Sequence, residues 1–582
     1  NADYPYTLQD SAQAAYNAGA WNLDSIRLPS GGSIKVDYES DDYAFVQNRR
    51  STLMCNIAGF GVDSSGNYST HLYDASSDHL YVYVKIPYTP SSRQDLYQRY
   101  LTGLDTMYFR LFLQMPSDAF GSGSEYVPCY ANPDKAASHW YGLLNNNTIW
   151  IKLMGVNTTV NTSGNLNPLA QTAINFLRLN LPDKAYPGSE MPDDLTVSDA
   201  VKIVASLGTN VTELLNGFSG TARNNNWVNQ AAVSRSFVRL NNPTLKKYGG
   251  GLRVKRILIH DNWKAMTGQK ETVYGQTYDY TTTRIINGIP NIISSGVASW
   301  EPAIGGEENP FHMPIEYVDR ASLLAPSATL YSEQPLGEAF FPGPSVGYSK
   351  VRVRSIHLAN TRSANGYTET TFFTNYDFPT TWDYTMLDGN SKKRYKPLLN
   401  NFLRINSLNY LNLSQGFKVE LNDMNGRVHT EATYSETDTI HPISYTENFY
   451  KLDDPSAEFK HLNNTVTTID PQDNIDTANT IGKDAELMID MRDQTSTSLG
   501  GNINVNEDMF LAGIWPVIIP ALLNLYQKET NQFRSVAISK VIQHYGILDS
   551  VVHVDKGSRI ASNNLLYDSE TGDPILIRTR NA

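Results

Sequence analysis

Acidic residues recur along one short segment, KDAELMIDMRD, which runs from Lys483 to Asp493. If this segment is a strand, Asp484, Glu486 and Asp490 share one face, because side chains alternate between the two faces of a strand. A row of carboxylates repels itself unless it is solvated, paired or bound to a cation. We expect a solvated face. Calcium binding and glycosidase-like acid–base chemistry stay open, although a glycosidase needs a second carboxylate across a cleft.

A second candidate for chemistry is Gly343-Pro-Ser345-Val-Gly347, which has the spacing of a G-x-S-x-G nucleophile elbow. The elbow needs a strand before the serine and a helix after it. Here the following residues, YSKVRVRS, alternate as a strand, and the proline beside the serine favours a turn. The sequence therefore predicts that Ser345 is not a nucleophile.

Three consecutive glycines lie in KKYGGGLRVKRILIHDNW, Lys246 to Trp263, and could suggest a phosphate loop. Such a loop needs a helix after its glycines, so that the helix N-terminus meets the anion. The residues from Leu252 to Ile259 instead alternate as a strand, and no Gly-Lys-Ser/Thr ending follows. We expect these glycines to turn the chain into a strand that carries the basic residues.

The remaining polar groups predict no site. The acidic pairs are interpreted as loop charges, and His260 and Asp261 are neighbours that point to opposite faces of a strand. No H-E-x-x-H and no Cys/His zinc spacing occurs. Cys55 and Cys129 either form one disulfide or stay as two buried thiols. The sequence thus predicts no enzyme and assigns no catalytic, cofactor or metal residue. The acidic pairs are Asp41-Asp42, Glu307-Glu308 and Asp453-Asp454.

Composition excludes two classes of partner. The 582 residues carry 47 basic and 59 acidic side chains, a net charge of −12. This balance argues against nucleic acid and against anionic membranes, which both attract basic surfaces. The long apolar run GIWPVIIPALLNLY, Gly513 to Tyr526, is too short to span a bilayer and contains two prolines, so we expect no integral membrane span.

Strands dominate the pattern, and the fold class is predicted as mainly β, with antiparallel hairpins and a few short helices. Asp78–Tyr88 (DHLYVYVKIPY) alternates cleanly, and Leu23–Ser40 reads as a hairpin turned by Pro-Ser-Gly-Gly. The 35 tyrosines suit strand surfaces, where the ring packs and the hydroxyl stays hydrated. The predicted helices are Gln9–Ala20, Ser198–Gly208, a short one ending at Gly217, and Leu522–Gln532.

The length exceeds one ordinary core, so we expect several regions. They are a β-rich region 1–240 with a helical insertion at 198–217, a β region 241–505, and a segment 506–582 with a helix and a terminal hairpin. A weak echo, Phe-Leu/Val-Arg-Leu/Ile-Asn, recurs at Phe176, Phe237 and Phe402. It reflects either recurrent strand chemistry or a structural repeat.

Several of these motifs, in this order, resemble the Rhs/YD-repeat proteins, especially the large Bacteroidetes versions. The closing YDSETGDPILIRTRN resembles a YD repeat, and NDMNGRVHTEATY a degenerate one. Gly572-Asp-Pro-Ile does not match the Asp-Pro-x-Gly self-cleavage signature of that family, so autoproteolytic toxin release is not expected. The other matching segments are Leu23–Glu39, the glycine turn with LRVKRI, Tyr274–Thr282, Ser294–Pro302 and Val346–Pro379.

The resemblance implies hairpins wound into a hollow shell or curled sheet, and a structural role. The chain would then be part of a larger secreted or cell-surface protein that encloses, displays or delivers a polypeptide, possibly the rest of the same larger protein. Secretion or surface-attachment machinery would be a further partner. A virion or appendage protein, and a carbohydrate-binding or carbohydrate-cleaving surface protein, remain alternatives.

Overall fold

We analysed a computed structural model of the chain. Strands make up 54% and helices 11% of it, which confirms the predicted mainly β class with few short helices. The residues that the structure describes are 10–117, 121, 123–156, 165–185, 219–270, 273–286, 288–299, 315–319, 328–332, 345–357, 366–385, 392–394, 406–500, 509–512, 515–518 and 527–581.

The strands are numbered in chain order. Those of the first half are β1 (Ser25–Arg27), β2 (Ser33–Tyr43), β3 (Phe45–Val46), β4 (Arg49–Arg50), β5 (Thr52–Gly61), β6 (Tyr81–Lys85), β7 (Met107–Gln114), β8 (Ser124–Ala131), β9 (Tyr141–Asn145), β10 (Thr148–Lys152), β11 (Phe237–Asn241), β12 (Lys247–His260), β13 (Val273–Asp279), β14 (Thr281–Ile286), β15 (Ile289–Ser294) and β16 (Gly296–Ala298).

The second half contributes the longest strands. Its strands are β17 (Ile315–Asp319), β18 (Ala328–Ser332), β19 (Val346–Tyr348), β20 (Lys350–His357), β21 (Tyr367–Phe372), β22 (Thr381–Tyr384), β23 (Lys392–Arg394), β24 (Asn406–Asn422), β25 (Val428–Tyr434), β26 (Ser444–Tyr450), β27 (Thr465–Ile469), β28 (Ile475–Thr480), β29 (Lys483–Gly500), β30 (Met509–Ala512), β31 (Trp515–Ile518), β32 (Gln527–His544), β33 (Leu548–Asp555), β34 (Ser558–Asp568) and β35 (Pro574–Asn581).

Helices are short. Asp10 caps α1 by accepting from the backbone N–H groups of Ala12 and Gln13, and Asn167 caps α3 in the same way. In the described part of the chain no helix is both long and apolar enough to cross a membrane. The helices are α1 (Ser11–Gly19), α2 (Arg93–Leu96, continued by a π turn Tyr97–Leu101), α3 (Pro168–Asn180), α4 (Pro182–Ala185), α5 (219–224) and α6 (Trp263–Thr267).

The first large unit is a seven-stranded sheet with the order β8-β7-β11-β5-β6-β10-β9. It holds the main apolar core, in which α2, its π turn and α3 take part. The predicted strand of the Asp78–Tyr88 segment is present as β6, and Val82, Val84 and Ile86 of its apolar face are buried, but Tyr83 on the opposite face is buried as well. Burial of such side chains is the dominant favourable term in folding.

Both cysteines lie in this sheet, and they are free and buried. Cys55 on β5 pairs with Val238, which pairs with Phe109, which pairs with Cys129 on β8. Three strand spacings of roughly 4.8 Å therefore separate the two thiols, too far for a disulfide. Burial also raises the pKa of the Cys55 thiol, which keeps it protonated and unreactive.

The second large unit, here called the long sheet, has thirteen strands in the order β1-β2-β12-β13-β20-β21-β25-β26-β33-β34-β27-β28, with β35 also on β34. Neighbours in sequence pair as antiparallel hairpins at β1–β2, β20–β21, β25–β26 and β33–β34, among others. The first of these is the predicted Pro-Ser-Gly-Gly hairpin, with Gly31 at φ +84°. Strands β1 and β2 fall within the predicted region 1–240, but they belong to this sheet.

One face of the long sheet is charged and aromatic. Asp37, Arg256, Thr277, Arg354 and Tyr367 are successive cross-strand partners, so their side chains share that face. The other face carries mainly aliphatic, tyrosine and threonine side chains. Most residues on both faces are only half-buried.

Smaller sheets complete the fold. Strands β19-β16-β3-β4 form a four-stranded sheet beside the long sheet, and β14–β15 form a hairpin. Strands β22-β24-β32-β29 form a five-stranded sheet with β23, in which β24 and β32 run parallel over seventeen residues. Two further pairs are β17–β18 and β30–β31.

Three sequence predictions need correction or comment. Residues 527–532 begin strand β32, so the helix predicted at Leu522–Gln532 is wrong over its described part. Phe176 lies in helix α3 and Phe237 in strand β11, so these two copies of the echo are not a structural repeat. The predicted helices between residues 198 and 217, and Phe402, lie outside the described residues.

Candidate functional site

A buried polar site lies where β2 ends. Ser40, Asp41, Asp42 and Tyr43 are all buried, with Asp42 only 1% exposed. The prediction of Asp41-Asp42 as loop charges is therefore wrong. Ionised carboxylates are buried only when charges or hydrogen bonds compensate them, so the compensating partners define this site, here called the Asp42 cluster.

Arg253 on β12 is the main partner of Asp42. Its Nη1 and Nη2 donate to the two carboxylate oxygens of Asp42 at 2.8 Å each, and its Nε donates to Glu39 at 2.8 Å. This two-pronged geometry is the strongest form of arginine–carboxylate pairing. Lys246 adds a second cation, with its Nζ 3.2 Å from Oδ2 of Asp42. Ser294, on β15, donates its hydroxyl to the same carboxylate.

Asp41 has a different environment from its neighbour. Its Oδ1 accepts a hydrogen bond of 2.6 Å from the hydroxyl of Tyr348, on β19. The Arg253 guanidinium lies 4.6 Å from the ring centre of Tyr280 and 5.3 Å from that of Tyr348. Through these cation–π contacts the two tyrosine rings pack against the guanidinium of Arg253.

The two carboxyl groups have opposite pKa shifts. Burial raises the pKa of Asp41, and the hydrogen bond from Tyr348 only partly offsets this. Burial would also raise the pKa of Asp42, but the hydrogen bonds and charge of Arg253 outweigh it and lower that pKa. Burial likewise raises the pKa of Tyr280, to about 12. The Asp42 carboxylate is therefore stabilised in its ionised form, whereas Asp41 takes up a proton more readily than Asp42.

The three glycines make room for this cluster. Tyr248 pairs with Asp42 and Leu252 with Ser40, so Gly249 to Gly251 bulge opposite the single residue Asp41. All three have positive φ, from +104° to +143°. A Cβ on Gly250 would lie 2.5 Å from Val346 Cγ2. The expectation that the glycines precede the strand needs correction, because they lie inside β12, and the strand itself is confirmed.

The Asp42 cluster joins three sheets. It contains residues of β2 and β12 in the long sheet, of β19 in the four-stranded sheet, and of the β14–β15 hairpin. Its carboxylates are bound by Arg253, Lys246, Ser294 and Tyr348. Among the described residues no group of three or more His, Cys, Asp or Glu side chains could hold a metal ion. The arrangement fits a structural role, in which buried polar contacts hold the three sheets together.

The candidates from the sequence lie elsewhere. Ser345 precedes β19, and its backbone N–H donates to the hydroxyl of Ser299 at 3.0 Å, with no helix following it. Asp484 and Glu486 are exposed on β29, and Asp490 accepts from Arg492 at 3.1 Å. The alternation predicted for this segment is confirmed, since it lies in one long strand.

A cleft of about 360 Å³ lies between α2 and the β14–β15 hairpin. Asp95 in its wall accepts from Arg99 Nε at 2.8 Å and from the backbone N–H of Ser91 at 2.9 Å. Burial would raise the pKa of Asp95, but these partners lower it. The wall of the cleft consists of Ser91, Ser92, Gln94, Asp95, Arg99, Ile289 and Asn291.

Sequence reasoning missed the Asp42 cluster because its members are far apart in the chain. Arg253 lies 211 residues after Asp42, and Ser294 lies 252 residues after it. The one local signal was the position of the two aspartates directly before the apolar run Tyr43-Ala-Phe-Val46.

Comparisons of the chain with protein-family descriptions, with curated proteins and with solved structures find no match.

Proposed function

We propose that this chain is a structural part of a larger secreted or cell-surface protein, and that its long sheet serves as a wall that encloses, displays or delivers a polypeptide. The observation that carries this proposal is the thirteen-stranded, mostly antiparallel sheet in which most residues of both faces are only half-buried. A sheet normally buries at least one face against another layer. A wide sheet whose two faces are only half-covered is suited to binding a further polypeptide.

The pattern of hairpins supports the kinship with Rhs/YD-repeat proteins as part of the same proposal. Strands that follow each other in the chain pair side by side in much of the long sheet, and the YD-like segment at the C-terminus is the hairpin β34–β35. A shell of wound hairpins is built in this way. Fold alone does not fix function, so the proposal needs a direct test.

A non-catalytic role is consistent with the chemistry of the polar sites. The carboxylates of the Asp42 cluster are buried and paired inside the protein, and Ser345 contacts another serine. A carbohydrate-binding groove would need aromatic rings and paired acids, whereas the residues lining the cleft beside α2 include no aromatic ring. This cleft therefore gives no support to the carbohydrate alternative.

The test is limited protease digestion of the natively purified protein, followed by mass mapping of every peptide that survives. We expect protected peptides from a second polypeptide, or from sequence outside these 582 residues, together with this chain. A heat-denatured sample, digested in parallel, is the control that separates protection by the fold from a lack of cleavage sites. Protection of this chain alone would contradict the wall proposal.

A further inference from the structure

Strands β29 and β35 are among the edge strands of the described fold, and each has one edge without a partner among the described strands. Strand β29 pairs with β32 alone, and β35 pairs with β34 alone, among the described strands. All eight residues of β35 are exposed. Such edges present free backbone N–H and C=O groups and are templates for adding a further strand.

Both edges are also unusually apolar for exposed strands. On β29, Leu487 and Ile489 are 63% and 58% exposed. On β35, Ile575, Leu576 and Ile577 are each more than half exposed. Exposed aliphatic side chains grouped in this way mark interaction surfaces.

The charges at the two edges are complementary. Strand β29 carries the exposed Asp484 and Glu486, and β35 carries the exposed Arg578 and Arg580. In the described part of the chain, none of these four side chains takes part in a salt bridge. The two strands therefore present opposite charges beside similar apolar residues.

One antiparallel register satisfies both features at once. In an antiparallel pair the residue numbers of opposite partners have a constant sum, and side chains directly opposite each other interact. Placing Arg578 opposite Glu486 also places Arg580 opposite Asp484, because both pairs are spaced by two residues. The same register brings together Ile577 with Leu487, Leu576 with Met488, and Ile575 with Ile489.

From this complementarity we infer that β35 of one copy of the chain adds to the edge of β29 in a second copy. Pairing of like edges is disfavoured, because it sets arginine near arginine or carboxylate near carboxylate. The contact uses two different edges, so it is head-to-tail and leaves a free edge at each end of the pair. Assembly therefore continues into a ring or a filament.

This inference rests on the proposal that the chain is a wall, and it supplies a second copy as one partner of that wall. The two can fail separately. If the chains do not associate but still protect another polypeptide from protease, the wall proposal stands and the strand pairing is wrong.

Disulfide trapping tests the register. One variant carries Leu487→Cys and is labelled with ¹⁵N, and the other carries Ile577→Cys and is unlabelled. The two proteins are mixed and oxidised under mild conditions. The native thiols are buried and do not compete. We expect a cross-linked product with one labelled and one unlabelled chain, in which mass spectrometry finds position 487 joined to position 577.

A matched control replaces Leu487→Cys with Ile292→Cys, an even more exposed aliphatic position on β15, and should give no cross-link above background. Absence of the 487–577 product in the mixture would overturn the inference. A 487–577 link formed within single chains of a doubly substituted protein would also overturn it, because the two strands would then meet in one copy.

Charge reversal gives an independent readout by sedimentation velocity at low salt. D484K/E486K alone and R578E/R580E alone should each weaken association by about tenfold, since two pairs change from attraction to repulsion. In a mixture of the two variants every contact between unlike copies again pairs opposite charges, lysine with glutamate or arginine with a native carboxylate, so association should recover. Unchanged sedimentation of either variant, with circular dichroism confirming its fold, would contradict the pairing.

Discussion

The seven-stranded sheet and the long sheet achieve cohesion in different ways. In the seven-stranded sheet, side chains such as Phe109 and Leu111 on β7 are completely buried, and helix α3 covers part of the core. In the long sheet, Phe449 on β26 is 38% exposed, and ion pairs such as Arg352–Glu369 at 2.8 Å run between neighbouring strands. The first is built around an apolar core, and the second around strand pairing.

This difference indicates that the two sheets contribute unequally to the stability of the molecule. An apolar core stabilises a unit without help from outside, because burial of apolar surface contributes about 25 cal/mol per Å². Cross-strand polar pairs contribute only roughly 0.2–1 kcal/mol each. We infer that the seven-stranded sheet is the stable base of the molecule, whereas the long sheet gains stability when something covers its faces.

The largest expected effect comes from the core of the seven-stranded sheet. Phe109→Ala should lower the free energy of unfolding by about 4 kcal/mol, because it removes a buried ring and leaves a cavity. Phe449→Ala in the long sheet is the matched control and should cost about 1 kcal/mol, since that ring is already partly hydrated.

Denaturant titration with hydrogen-exchange mass spectrometry measures both effects and assigns each to its sheet. Exchange resolves the two units even if they do not unfold together. If the two substitutions lowered the free energy of unfolding equally, the long sheet would be as well packed as the seven-stranded sheet. The proposed difference between the two sheets would then be wrong.

The next effect concerns the Asp42 cluster, where the long sheet most resembles a core. Arg253→Met should cost about 3 kcal/mol, because it leaves the buried Asp42 carboxylate with only Lys246 and Ser294 as compensation. Arg354→Met is the control. Its ion pair with Glu436 is 41% exposed on both sides and should contribute less than about 1 kcal/mol.

Thermal unfolding at two salt concentrations distinguishes these cases. The small effect of Arg354→Met should shrink as salt rises, because exposed pairs are screened, whereas the effect of Arg253→Met should persist. If Arg253→Met destabilised the protein as little as Arg354→Met does, the Asp42 cluster would not hold the sheets together.

The glycine bulge gives an intermediate effect. Gly250→Ala should cost roughly 3 kcal/mol, because it adds backbone strain at φ +104° and a close contact with Val346. Gly426→Ala has a positive φ of +87° but open space around the new Cβ, so it should cost only about 1 kcal/mol. Equal losses in chemical denaturation would show that backbone strain alone, without the contact with Val346, accounts for the cost at Gly250.

The contrast between the two sheets was only partly predictable from the sequence. Alternation identified strands such as β6, β12 and β29, because period-two patterning is a local property of a strand. It could not place Asp41 and Asp42, since their burial depends on Arg253 and Ser294, which lie more than 200 residues away in the chain. Pairing between distant strands is set by tertiary contacts, which one sequence does not display.

Local pattern also failed where tertiary context overrides propensity. The Phe176 segment repeats the pattern of the Phe237 strand, yet it forms helix α3, which starts at the Asn167 cap with Pro168 behind it. Residues 527–532 look helical, but they extend a strand that pairs along its whole length with β24 and β29. Ladder hydrogen bonds on both sides of β32 outweigh a modest helical preference.

The smallest effect is a pH dependence at Asp41. Burial raises the pKa of this carboxyl in the folded state above its unfolded value of 3.8. Its favourable contribution is therefore complete below pH 3.8 and is lost as pH rises through the folded pKa. Asp41→Asn keeps an oxygen for the Tyr348 hydroxyl and removes the buried charge, so it should be more stable than the parent protein near pH 7.

That advantage should narrow as pH falls, because the parent protein protonates Asp41, whereas the stability that Asp42 contributes is common to both proteins and cancels. Asp24→Asn, at an exposed position directly before β1, is the control for removal of a surface carboxylate. Unfolding curves measured between pH 7 and pH 4 provide the comparison. An Asp41→Asn protein that is less stable near pH 7 would mean that the Asp41 charge is needed beside Arg253, and that the long sheet depends on both carboxylates to stay joined to its neighbours.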